Sequence, residues 1–204
     1  MKGMETVPEV SALPRLAQYP IDHQFLERWS PRAMSGAEIS QDALMALFEA
    51  ARWAPSNGNG QPWRFLFARR TNPYFPLFLG LLTEKNQRWA KRASALVLVA
   101  SHKVSEKSGH PSRTHSFDAG AAWMSLALQA FKSGLIAHGM DGFDHDRARQ
   151  TLDIPPDYHV DAMIAIGHPA PVEVLTEEDR VRERLRHRKR LDEIVFEGPW
   201  PKEC

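Results

Sequence analysis

Helices and strands share one folded unit in what this sequence predicts, and three observations carry that expectation. Apolar residues recur at helical spacing in one set of segments, with Leu44, Leu47, Phe48 and Ala51 the clearest case. A second set is short and suited to strands: Trp63, Phe65 and Phe67 alternate with Arg64 and Leu66, and Leu96-Val97-Leu98-Val99 is an unbroken apolar run. Turn residues separate the two sets, with Pro55, Asn72-Pro73, Gly134 and Pro155-Pro156 falling between them.

Taken in order, residues 1–22 carry Pro8, Pro14 and Pro20 with little periodicity and read as an extended arm, followed by one domain over 23–204. A short helix is expected over Gln24 to Arg28. It leads into Trp29-Ser30-Pro31-Arg32, where Arg28 and Arg32 flank a hydroxyl. Guanidinium forks match phosphate oxygens, so this segment is either an anion grip or a solvated pair of surface arginines. Ser40 is a natural N-cap for a helix over 41–54. Pro55 then blocks continuation, and Gly58 and Gly60, separated by Asn59, turn the backbone before Gln61-Pro62-Trp63 enters a strand. Ser56, Asn57, Asn59 and Gln61 crowd this bend with donors and acceptors suited to a planar polar ligand, or they form a plain polar connector.

Beyond the Asn72-Pro73 turn a helix is expected over Phe75 to Arg92 in one or two pieces, with Asn86 and Trp89 on one face. Ala95 to Ala100 is a buried strand. Residues 101–115 read as a polar, mobile loop; His102, His110 and His115 match no metal-ligand spacing, and no metal is expected. Ala119 to Phe131 is apolar on nearly every side, which points to a helix buried in a core or interface, stopped by Gly134. A strand over Ile136 to Met140 runs into Asp141-Gly142, and Asp144 caps a helix through Leu152. Gly142 is either a turn glycine or a place where a backbone N–H approaches a ligand. Asp144 and Asp146 suit a helix start and receive no catalytic role. Ala162 to Ile166 is the last core strand. Past Pro171 the chain is densely charged with both signs, the pattern of a solvated face.

The composition excludes several function classes. Cys204 is the only cysteine among 204 residues, so an internal disulfide framework and a cysteine-built metal site are ruled out, and a reducing, cytoplasmic setting is expected. Apolar runs are too short to span a bilayer, and Met1 to Tyr19 lacks the apolar core of a signal peptide. A formal net charge of +1 gives no bulk attraction to nucleic acid. The G-x-S-x-G elbow, the P-loop and the G-x-G-x-x-G fingerprint are all absent.

Four separated blocks carry a resemblance: Arg28-Trp29-Ser30-Pro31-Arg32, Glu49 to Trp63, Met140-Asp141-Gly142-Phe143-Asp144, and Arg186 to Val195. In this order, across residues 25 to 200, they resemble the nitroreductase family of FMN-dependent flavoproteins. The resemblance implies an α+β fold, a mixed central sheet flanked by helices. It also implies a homodimer with two flavins at the subunit interface and a C-terminal arm, from about residue 172, that wraps the partner. By the same resemblance Arg28, Trp29, Ser30 and Arg32 grip the FMN phosphate and adjoining ring edge, and Arg186 and Arg188 close over the phosphate. Asn86 serves the pyrimidine edge, and Pro55, Ser56, Asn57, Asn59 and Gln61 line the ring. Within Met140-Asp141-Gly142 the Gly142 amide faces flavin N5. Where many relatives have a lysine, this chain has Trp89. Trp29, Trp89 and Trp123 each suit either a pocket wall or the core.

The implied activity is ping-pong transfer of hydride from NADPH or NADH through flavin N5 to a small acceptor such as a nitroaromatic or quinone, the cofactor carrying the chemistry. Relatives that dehalogenate aromatics or consume flavin with oxygen, and a flavin-binding module without turnover, are the competing expectations. Partners are a second copy of the chain and a small-molecule acceptor, with no nucleic acid and no membrane.

Overall fold

The computed structural model describes residues 15–201. Residues 1–14 of the expected arm, and Cys204, lie outside the described residues. A single turn, α1 (Gln24–Glu27), precedes α2 (Gln41–Arg52), which starts where Ser40 Oγ accepts the Ala43 N–H at 3.1 Å. The bend after α2 delivers β1 (Trp63–Arg69). The helical stretch that follows is in two pieces, α3 (Phe75–Leu81) and α4 (Glu84–Ala90), because Leu82 turns extended and bridges to Phe143. The remaining elements are β2 (Ala95–His102), α5 (His115–Lys132), β3 (Ile136–Met140), α6 (His145–Thr151), β4 (Tyr158–Gly167) and the short α7 (Glu177–Arg180). The Asp144 carboxylate caps α6 by accepting the Arg147 N–H at 2.9 Å.

The sheet order is β1-β2-β4-β3, and each neighbouring pair is antiparallel. Any parallel pairing that would make the sheet mixed is therefore not made among the described residues of one chain. Alternation along β2 explains its unbroken apolar sequence, since both faces are covered. Ala95, Val97 and Val99 face α2 and α5, meeting Leu44, Leu47, Leu126 and Ala130. Leu96, Leu98 and Ala100 face the opposite way, toward Phe78, Leu81, Trp89 and Ala148 of α3, α4 and α6. A sheet between two helical layers, each with its own core, results.

Two elements begin earlier than the periodicity predicts. Helix α5 starts at His115 rather than Ala119, and β4 at Tyr158 rather than Ala162. Polar residues engaged in hydrogen bonds hide both starts: Thr114 Oγ1 donates to Asp118 within the first turn at 3.2 Å, and Ser116 Oγ donates across to Asp161 on β4 at 2.6 Å. The stretch expected as a loop over 101–115 is partly sheet, with β2 reaching His102 and a Val104–Pro111 bridge beyond it.

Only one side of α5 reaches the sheet. Its other side carries Phe117 and Met124, and Phe117 is 80% exposed. The segment after α7 ends with Val195, Phe196 and Trp200 largely in solvent.

Truncating Leu126, fully buried between α5 and the sheet, is expected to cost about 3 kcal/mol, and losing the Ser40 cap about 1 kcal/mol. Urea unfolding of Leu126→Ala and Ser40→Ala, followed by circular dichroism, measures both.

Candidate functional site

Arginines from both ends of the chain line one hollow of about 280 Å³: Arg15, Arg28 and Arg32 from one end, Arg182, Arg184, Arg186 and Arg188 from the other. Trp29, Ser30, His138 and Gly139 complete it. Arg32 lies 3.8 Å from Glu183, and Arg182 lies 3.3 Å from Glu178. The other five arginines have no carboxylate within 4.0 Å among the described residues. Arg28 Nη1 lies 3.4 Å from Ser30 Oγ, to which it donates, while the buried Nε of Arg28 and Nη1 of Arg182 find no partner among those residues. Burial first, and then the charge of Arg188, hold Arg28 below the ordinary arginine range. Dense positive charge with unused buried donors suits a multiply charged, oxygen-rich anion.

The hollow's walls are fixed by one contact within the N-terminal segment and by others distant in sequence. Arg15 Nη1 donates to the carbonyls of Leu26 and Arg28 at 2.8 and 3.0 Å, which caps the C-terminal end of α1. Glu183, 5% exposed, accepts the Arg32 N–H at 2.7 and 2.9 Å and the Ala33 N–H at 2.8 Å. Burial lifts its carboxyl above the ordinary range, and the two backbone donors oppose that shift. His138 Nδ1 sits 3.0 Å from the Pro31 carbonyl, and its ring packs on Trp89 with centroids 4.7 Å apart. Trp89 is only 2% exposed and so belongs to the core, and Trp123 packs against Gly139, where an added Cβ would lie 3.2 Å from its ring.

Asn86 and Gly142 meet directly, Asn86 Nδ2 donating to the Gly142 carbonyl at 3.0 Å beside the Thr83 N–H, also at 3.0 Å. A Cβ on Gly142 would stand 2.7 Å from Asn86 Nδ2, so space is what requires glycine here. The Gly142 N–H has no partner among the described residues. Asp141 beside it is open to solvent and 3.3 Å from His145, whereas the Met140 side chain is buried in the core and has only its backbone to offer.

The amide-rich bend stands elsewhere. Left-handed φ occurs at Gly58 (57°), as expected, and at Asn59 (57°) and Gln61 (45°), while Gly60 is ordinary, so two non-glycine residues share the turn with Gly58. Ser56 Oγ accepts the Gln61 N–H at 3.0 Å, and the buried Asp118 accepts the Asn57 N–H at 3.2 Å. Pro55, Asn57, Asn59 and Gln61 are all exposed, as their turn chemistry allows. Trp63, which ends the bend, is level with His159 on β4 through Ser101, while Gly139 at the hollow pairs with Ile164. Five residues along the strands and three strand spacings across them put the bend about 20 Å from the hollow.

One chain thus brings together Arg28, Trp29, Ser30, Arg32, Arg186 and Arg188, and separately Asn86 with Gly142, and does not bring Pro55 to Gln61 to either. Sequence reasoning missed Arg15, His138, Arg182, Arg184, Glu183 and Asp118. The charge run held a signal for Arg182 and Arg184, but an isolated His138 or Asp118 has none. Among the described residues no helix is long and apolar enough to cross a membrane, and no cluster of His, Cys, Asp or Glu is arranged to hold a metal ion.

The sequence model of the nitroreductase family matches residues 26–73. An oxidoreductase containing FMN, of known crystal structure, is 44% identical with a TM-score of 0.88, over 95% of this chain and 99% of that one. A Desulfovibrio desulfuricans protein in complex with FMN is 25% identical with a TM-score of 0.69, over 91% of this chain and all of that one (100%). A Streptomyces coelicolor protein, provisionally named NADH dehydrogenase/NAD(P)H nitroreductase, is 26% identical over 200 residues, 88% of this chain and 96% of that one.

Burial pushes His138 down to about 4 from 6.5; the Pro31 carbonyl opposes the shift and the Arg32 charge adds to it. A histidine depressed in the folded state favours folding above its unfolded value, and that contribution is lost as pH falls through the folded one. Wild type is therefore expected to lose up to about 3 kcal/mol between roughly pH 6.5 and 4 from this residue. Urea midpoints measured across that window should fall less steeply for His138→Asn.

Proposed function

Because the chain belongs to the nitroreductase family, we propose that it is an FMN-dependent oxidoreductase, taking reducing equivalents from NADPH or NADH and delivering them to a small acceptor such as a nitroaromatic or quinone. The arginine hollow carries this reading: a phosphate dianion would neutralise guanidinium groups that have no carboxylate and satisfy buried donors that have no partner. The FMN in the two solved relatives supports the cofactor, and the name of the Streptomyces coelicolor relative supports the donor.

In this reading Arg28, Arg32, Arg186 and Arg188 hold the phosphate, with Trp29 beside it, and Ser30 donates to the ribityl end. Asn86, already oriented by the Gly142 carbonyl, serves the pyrimidine edge. The unpartnered Gly142 N–H, in the Met140-Asp141-Gly142 segment, is left for flavin N5. When bound, FMN supplies the redox chemistry, gaining and losing hydride at N5 in a ping-pong cycle, so no side chain need act as nucleophile or acid. Pro55, Ser56, Asn57, Asn59 and Gln61, too distant to reach this flavin, line the one bound chiefly by a second copy of the chain. That assignment requires a homodimer, for which the outward apolar side of α5 and the exposed C-terminal segment supply surface.

Trp89 favours a second reading. Its burial leaves no cation at the place where many relatives carry a lysine, which suits a flavoprotein that dehalogenates, uses oxygen, or binds flavin without turnover.

Stopped-flow mixing with NADPH and with NADH separates the readings: rapid bleaching of the flavin band is expected, and a yellow protein inert to both donors overturns the reductase. Arg28→Ala combined with Arg188→Ala is expected to purify colourless, and full FMN occupancy in that variant would show the phosphate assignment to be wrong.

A further inference from the structure

The walls of the hollow come from segments about 150 residues apart and carry the same sign of charge. Burial and then Arg188 lower Arg28; burial and then Arg188 and Arg28 lower Arg15. Arg32 too is lowered, by burial before all else, with Arg186 and Arg182 adding to the effect. Without a bound anion these walls repel. Glu183 belongs to the C-terminal wall, yet its carboxylate accepts three backbone hydrogen bonds from the other wall, two from Arg32 and one from Ala33, and stands 3.8 Å from the Arg32 guanidinium. All these neighbours are N–H donors, the set that an ionised carboxylate needs.

We infer that Glu183 is a positioning residue for phosphate recognition: its carboxylate is the counter-charge that holds the two arginine walls in register before an anionic ligand arrives. The inference rests on the FMN reading above. Glu183 is not itself placed to touch the phosphate, since its oxygens are occupied by the backbone of Arg32 and Ala33. Its own position is fixed by α7, where Thr176 Oγ1 donates to Asp179 at 3.0 Å. The same helix is tied to α4 by Arg88, which lies 2.7 Å from Glu178 and 3.5 Å from Asp179. The brace therefore extends from the phosphate wall to the helix bearing Asn86. A preformed hollow lowers the cost of ordering its side chains when ligand binds.

The test compares FMN with riboflavin, which lacks the phosphate. Full-length protein stripped of flavin is titrated with each, following quenching of flavin fluorescence, for wild type and Glu183→Gln, with circular dichroism reporting the fold. Expected is about tenfold weaker FMN binding by the variant, with riboflavin changed by less than about twofold. Glu183→Asp, which keeps the charge but draws it back by one methylene, is expected to show the same selectivity and serves if the glutamine variant does not fold. Parallel weakening of both ligands would reduce Glu183 to a structural residue and overturn the inference, as would unchanged FMN affinity. Wild type that binds riboflavin as tightly as FMN would overturn the phosphate reading itself, and this inference with it.

Discussion

Gathering seven guanidinium groups around one small hollow is electrostatically unfavourable, and opposing that repulsion is the constraint on which the rest of the structure depends. The opposition comes from rigid parts. A sheet buried on both faces fixes His138 and Gly139 on β3, and His138 reaches the Pro31 carbonyl from there. Arg15 ties itself to the end of α1, and Glu183 joins the segments on either side. The ties of His138 and Glu183 span 107 and 151 positions of the sequence, so the site is a product of the tertiary fold rather than of any local motif.

What could be read from the sequence follows from that distinction. Strand β3 falls on Ile136–Met140 as the pattern requires, and Ser40 and Asp144 cap the helices they were expected to cap, because these signals are local. The early starts of α5 and β4 were hidden where Thr114, Asp118 and Asp161 spend their polarity on neighbours rather than on solvent. At the site, the arginines at 28, 32, 186 and 188 were legible through resemblance, and the structure gathers them. The reason for Gly142 was not legible, since it is set by the Asn86 side chain from another element. Nor was the distance of the bend from the hollow, which only strand register reveals.

The Trp89–His138 pair shows how one core residue sets the charge of its neighbour. A buried tryptophan carries no charge and offers a ring against which His138 is dried and kept neutral. The positive potential of the hollow then comes from arginines alone, which stay charged at any physiological pH.

The arginine-lined hollow also constrains how the chain folds. Its two walls, Arg15 to Arg32 and Arg182 to Arg188, lie about 150 residues apart in sequence and must find each other across a very long loop. A chain in which β1 and β2 have paired but the segment beyond β4 has not yet docked lacks four of the hollow's seven arginines.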